Sequence, residues 1–83
     1  MKIIKRSGME VDFDVTKIVT AVRKANDSVV DYEKISEDEI IKVSETIENA
    51  CSNMQHTPTV EDIQDMVENQ LMSIKKFALA RNY

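Results

Sequence analysis

The sequence has one glycine, one proline, one cysteine and no tryptophan in 83 residues. With Gly8 alone, the glycine-dependent phosphate loops are excluded, both the P-loop and the dinucleotide-binding fingerprint. With Cys51 alone there is no internal disulfide, and with His56 as the only histidine there is no Cys/His set for structural zinc. No apolar run approaches the roughly 18–20 residues that span a bilayer. Lys2, Lys5 and Arg6 interrupt any signal-peptide pattern at the start. The expected compartment is therefore cytoplasmic, with no membrane partner. A Ser-His-Asp arrangement would have to use His56, which sits in a polar stretch before Pro58 and reads as surface loop. Cys51 falls on the inward stripe of an expected helix and reads as core. Glu37-Asp38-Glu39 and Glu61-Asp62 fall at expected helix starts, where carboxylates complement the dipole rather than ligate a metal. Nothing here supports catalysis, so no catalytic residue and no protein metal site are assigned.

What the chain does have is unevenly placed charge. The net charge is −4. Residues 1–24 carry six Lys/Arg against three Asp/Glu, and residues 25–83 carry five against twelve. An acidic body does not suit a general nucleic-acid binder, whose affinity comes mainly from phosphate neutralisation. A small basic end on such a body suits one compact anion. The length allows one domain, residues 1–83, burying roughly 60–65% of the surface its unfolded chain exposes.

Around the glycine, Ile3 and Lys5 alternate with Ile4 and Arg6, and Met9, Val11 and Phe13 alternate with Glu10 and Asp12. Period two on both sides of Ser7-Gly8 predicts a hairpin with a two-residue turn. Asp14 is an N-cap candidate. Val15, Ile18, Val19, Val22 and Ala25 then share a helix face, ending at Asn26-Asp27-Ser28. Val29 to Ile35 is a connector, with Tyr32 expected on the core edge. Ser36 and Glu39 match a capping box for a helix bearing Ile40, Val43, Ile47, Ala50, Cys51 and Met54. Thr57 to Val60 reads as extended, because Pro58 restricts its predecessor, and is expected to add a brief third strand. Thr59 caps a third helix with an inner stripe of Val60, Ile63, Val67, Leu71 and Ile74. After a break at Ser73 to Lys76, Phe77, Ala78, Ala80 and Tyr83 belong to a last helical segment. That pattern has no stop signal, so the chain is expected to be a piece of a longer one. The fold class is α+β and mostly α, a four-helix bundle capped by a small β-sheet.

Lys5 and Arg6 at the hairpin rim, with Lys17 twelve places beyond Lys5, are a solvated face or an anion site. The neighbouring Ile3, Val11, Phe13 and Ile18 are apolar and suited to a flat base, and the only glycine lies at the same place. These features favour a phosphorylated ligand. Three charge-assisted bonds, each roughly 1.5–3 kcal/mol, would support micromolar binding of a triphosphate.

The order Ile4-Lys5-Arg6-Ser7-Gly8, Val11-x-Phe13-Asp14, Lys17-Ile18 resembles the opening of the ATP-cone domain. Val60-Glu61-Asp62-Ile63-Gln64-Asp65-Met66-Val67-Glu68 resembles that family's second signature, and Ala78-x-Ala80 its closing helix. Together these cover essentially the whole chain. The resemblance implies a helical bundle under a three-stranded sheet, with ATP or dATP held between them as an allosteric effector, accompanied by Mg2+. In the family this regulates ribonucleotide reductase activity, largely by changing subunit assembly. The implied partners are the remainder of the reductase chain and its other subunits, with no nucleic acid. Carried over by position, Lys5, Arg6 and Lys17 hold phosphates. Val11 to Asp14, including Phe13, run beside the nucleotide, with Asp14 near the ribose. Ile3 and Ile18 line the base pocket, Val60 offers backbone groups to adenine, and Gln64 looks into the site. Some members have a polar residue at the position of Val11 and a histidine at that of Gln64. Gln64 to Glu68 and the ending are most similar to the anaerobic ribonucleoside-triphosphate reductase. The alternatives are the nucleotide-sensing half of a reductase transcriptional repressor, disfavoured by the lack of four cysteines ahead of the hairpin, and a helical interaction module with no ligand.

Overall fold

Alternation gives way to helix at Asp14, and the architecture follows from that switch. The computed structural model describes residues 1–83. Strands β1 (Lys2–Ile4) and β2 (Glu10–Asp12) lead into α1 (Val15–Asp27). A 3₁₀ turn (Asp31–Glu33), α2 (Glu37–Ser52), α3 (Val60–Ser73) and α4 (Phe77–Asn82) follow. The class is α+β and mainly helical, as the sequence predicts.

The two strands pair antiparallel, Ile3 opposite Val11 and Ile4 opposite Glu10. The turn is wider than the expected Ser-Gly pair. The Gly8 N–H donates to the Lys5 carbonyl at 2.8 Å, and the Lys5 N–H to the Met9 carbonyl at 2.9 Å. Arg6 and Ser7 are thus the central pair, and Gly8 follows at φ +85°. A two-residue type I′ turn needs positive φ at both central residues, whereas a three-residue loop needs it once, where the glycine stands. The expected third strand is reduced to one parallel bridge between Ile4 and Thr59, with the Ile4 N–H donating to the Pro58 carbonyl at 3.0 Å. Pro58 has no N–H to return, and Thr59 is already the N-cap of α3. Pairing has nowhere to extend.

Each long helix starts on a local cap. Asp14 accepts from the Thr16 N–H at 3.0 Å. Ser36 and Glu39 close a reciprocal capping box, as do Thr59 and Asp62. Such caps contribute about 1 kcal/mol each. Their stripes meet in one core: Ile18, Val22 and Ala25 of α1, Ile40, Val43, Ile47 and Cys51 of α2, Ile63, Val67 and Leu71 of α3, and Leu79 and Ala80 of α4. α1 touches α2 and α4, and α3 touches the same two.

Two expected core positions face out. Tyr32, in the 3₁₀ turn, is 81% exposed, and Ile74 is 38% exposed. Ile74 has left the helical stripe because α3 ends one residue earlier. The Lys76 N–H donates to the Leu71 carbonyl and the Lys75 N–H to that of Met72, both at 2.9 Å, with Lys75 at φ 63°. This is a Schellman stop with a lysine in the left-handed position that glycine usually fills. Lys75→Gly should therefore stabilise the domain by about 0.5–1 kcal/mol, read as a higher urea midpoint at unchanged slope. A lower midpoint would show that the strain is relieved elsewhere.

Candidate functional site

Where the hairpin lies over the N-terminal turns of α1 and α3, the chain leaves a cavity of about 410 Å3. Its apolar lining comes from Ile3 and Phe13 in the hairpin region, Ile18 and Ala21 on α1, Val60 and Ile63 on α3, and Tyr83. Its polar lining is Arg6, Asp12, Asp14, Lys17 and Gln64. The size lies within the usual range for small-molecule sites, roughly 300–1,000 Å3, and so does the pattern of an apolar slot with few polar groups.

Of the residues singled out from the sequence, Ile3, Arg6, Phe13, Asp14, Lys17, Ile18, Val60 and Gln64 line this cavity. Lys5 and Val11 do not. β1 ends at Ile4, so Lys5 sits in the turn region with its side chain in solvent. Val11 is half-buried opposite Ile3 in the sheet. Asp12 also lines the cavity, within the stretch Val11 to Asp14 expected beside the nucleotide, whereas Ala21, Ile63 and Tyr83 were not anticipated. Ala21 had a signal of its own: it lies three residues beyond Ile18, so it shares that face, and its small side chain leaves room there.

The charged groups differ in how they are held. The Arg6 guanidinium donates from Nη2 to Gln64 Oε1 at 3.1 Å, and its Nε lies 3.2 Å from Glu61 Oε1. Asp12 accepts from Lys2 Nζ at 2.5 Å, and this hydrogen bond and charge hold its carboxyl below the usual range. Asp14 accepts from the Thr16 hydroxyl at 2.6 Å as well as from the Thr16 amide. Those two bonds, the hydroxyl first, lower its pKa. Both carboxylates are therefore ionised at neutral pH. Lys17 and Lys5 make no ion pair within the chain. Tyr83 is half-buried, and its phenol is pushed up by burial and then by Glu68, so it remains a neutral hydroxyl at pH 7. No cluster of His, Cys, Asp or Glu is arranged to hold a metal ion, and no helix is long and apolar enough to cross a membrane.

The family model described as the ATP cone domain matches residues 1–83. The chain belongs to the ATP-cone family. Among its relatives is the ribonucleoside-diphosphate reductase subunit alpha of Chlamydia muridarum, 33% identical over 91 aligned positions. The subunit of the same name from Chlamydia trachomatis is 31% identical over 91. Both alignments cover 100% of this chain and 9% of the relative. ATP-cone domains are allosteric nucleotide-binding domains, and the two sequence stretches similar to the family's signatures converge in this one. Arg6, Phe13, Asp14, Lys17 and Ile18 come from the first, Val60, Ile63 and Gln64 from the second, and all line one cavity.

Proposed function

We infer that this ATP-cone domain is the adenine-nucleotide sensor of a cytoplasmic ribonucleotide reductase, and that the cavity is its ATP or dATP site. The observation that carries the reading is the convergence of two stretches of opposite ends of the chain. Arg6 and Gln64, 58 residues apart, are hydrogen-bonded at the mouth of an apolar slot that also presents an unpaired lysine. In this reading Arg6 and Lys17 take the phosphates, with Lys5 near enough in sequence to join them. Asp14 meets the ribose, and Val11 and Phe13 run alongside. Ile3 and Ile18 hold the base, Val60 offers it backbone groups, and Gln64 borders it. Mg2+ arrives with the triphosphate, since magnesium is usually bound through substrate phosphates rather than by an all-protein cage.

Regulation follows by population shift. A nucleotide that binds two assembly states unequally moves the equilibrium between them, and with it the activity of the attached subunits. The type of reductase is a finer proposal. Gln64 to Glu68 is similar to the anaerobic triphosphate enzyme, whereas the two relatives carry the diphosphate name. A glycyl-radical site in the rest of the gene would decide for the former.

The test is calorimetric titration of ATP, dATP, GTP and pyrophosphate, each with and without Mg2+, alongside thermal unfolding. ATP or dATP at 100 times its dissociation constant should stabilise the domain by about 2.7 kcal/mol. Both should bind more tightly than GTP or pyrophosphate. Equal affinity for pyrophosphate and ATP would leave only charge attraction. No shift with any nucleotide would favour a ligand-free helical module.

A further inference from the structure

Glu61 does not line the cavity, yet it touches a group that does. Its Oε1 lies 3.2 Å from Arg6 Nε, while Gln64 Oε1 accepts from Arg6 Nη2 at 3.1 Å. Glu61 and Gln64 are three residues apart near the start of α3, so both reach the hairpin turn from one helix face. The guanidinium of the ligand-free domain thus already donates one hydrogen bond, to Gln64, and sits in an ion pair with the full negative charge of Glu61. Lys17, by contrast, has no carboxylate partner. Of the two cations lining the cavity, one stands free and the other is held back.

We propose that Glu61 is a built-in competitor for Arg6, an affinity-determining carboxylate that an incoming polyphosphate must displace. This rests on the reading of the cavity as a nucleotide site. A phosphate oxygen and the Glu61 carboxylate are both acceptor anions seeking the same N–H fork, so one guanidinium edge serves one or the other. The ion pair is solvent-exposed, with side chains 70% and 56% accessible. Exposed pairs are weak and salt-screened. The contact therefore opens readily to a triphosphate while lowering the apparent affinity for every ligand that needs Arg6. Gln64 plays a different part. A neutral amide oxygen can keep its bond to Nη2 while Nε turns to the ligand. In this scheme the side chain three residues back sets the strength, and Gln64 sets the orientation.

The experiment is a double-mutant cycle on the whole domain at low and at physiological salt, with ATP and adenosine as probes. Glu61→Gln should tighten ATP by about two- to fivefold at low salt and less at high salt, and leave adenosine unchanged. In an Arg6→Ala background the gain should vanish. Asp65→Asn, which removes an equal charge one turn along α3, should give no gain and serves as the control. Unchanged or weaker ATP binding in Glu61→Gln overturns the proposal. So does a gain that survives in full without Arg6, because that would be through-space repulsion rather than competition. If neither the native domain nor Glu61→Gln binds ATP, the nucleotide reading itself fails and this proposal falls with it. If only Glu61→Gln binds, the carboxylate does more than a weak exposed pair can, and the competition scheme is overturned.

Discussion

Asn26→Ala should destabilise the domain by about 2–5 kcal/mol, lowering its melting temperature by roughly 10–30 °C. Asn26 is one of only two buried polar residues, with Ser44. Its amide nitrogen donates to the Ile35 carbonyl at 3.0 Å, and its amide oxygen accepts from the Ile35 N–H at 2.9 Å. One side chain at the end of α1 thus satisfies both backbone groups of a residue that enters the core just before α2. Ile35 is itself 5% exposed. Truncation leaves a donor and an acceptor buried without partners, each worth about 1–3 kcal/mol, whereas the net worth of an ordinary hydrogen bond is nearer 1 kcal/mol. Asn26→Asp keeps the acceptor and loses the donor, and it also buries a carboxyl group, so it should be destabilising too. The contrast is Asn82→Ala. The Asn82 amide bonds to Ser28 Oγ at 3.2 Å in an exposed position and should change stability by no more than about 0.5 kcal/mol. Urea titrations of the three variants decide the matter. A loss under about 1 kcal/mol for Asn26→Ala would mean that water enters and takes over both groups.

Asn26 also shows where a sequence stops being legible. It reads as the end of a helix, and it is one, since α1 closes at Asp27. Its clasp on Ile35 lies outside any local pattern, because the partner is backbone nine residues on and only the packing of α1 against α2 makes that backbone buried. The features that were legible are local in the same sense. Asp14, Ser36 with Glu39 and Thr59 with Asp62 cap their helices through residues two or three apart, and period alone separates the buried stripes from the exposed faces. The third strand failed because two local signals compete for Thr59. An extended pre-helical residue and an N-cap have similar backbone angles, and the cap needs the residue once α3 begins. Tyr32 lies in a 3₁₀ turn and stays in solvent, and Ile74 leaves its stripe because α3 stops at Ser73. Within the cavity, the residues named from the hairpin and α1 share one side of a short segment and so could be read together. Tyr83 and Ile63 reach it only because α4 packs on α1 and the start of α3 joins the hairpin, a long-range result that no spacing announces.

Lys17→Ala should weaken ATP by about 10- to 150-fold, the loss of one charge-assisted bond to phosphate, and leave the ligand-free domain as stable or slightly more so. Lys17 stands in the first turn of α1, and that turn has no acidic residue, whereas α2 has three and α3 has two. A cation at a helix N-terminus opposes the dipole, commonly by a few tenths of a kcal/mol. It forms no ion pair within the chain, and the Asp14 carboxylate at the N-cap acts on it only through space. A lysine that gains little from its own helix and faces a cavity has its main account in ligand binding. Removing it should therefore separate the two readouts, with affinity falling while the melting temperature holds. Lys5→Ala should have the smaller effect on affinity, because its side chain lies outside the lining. Adenosine should bind both variants as it binds the native domain, since it carries no phosphate to lose. If Lys17→Ala lowers the melting temperature and ATP affinity together, the lysine is structural. If it lowers neither, the phosphates lie elsewhere, and the cavity is a packing defect rather than a site.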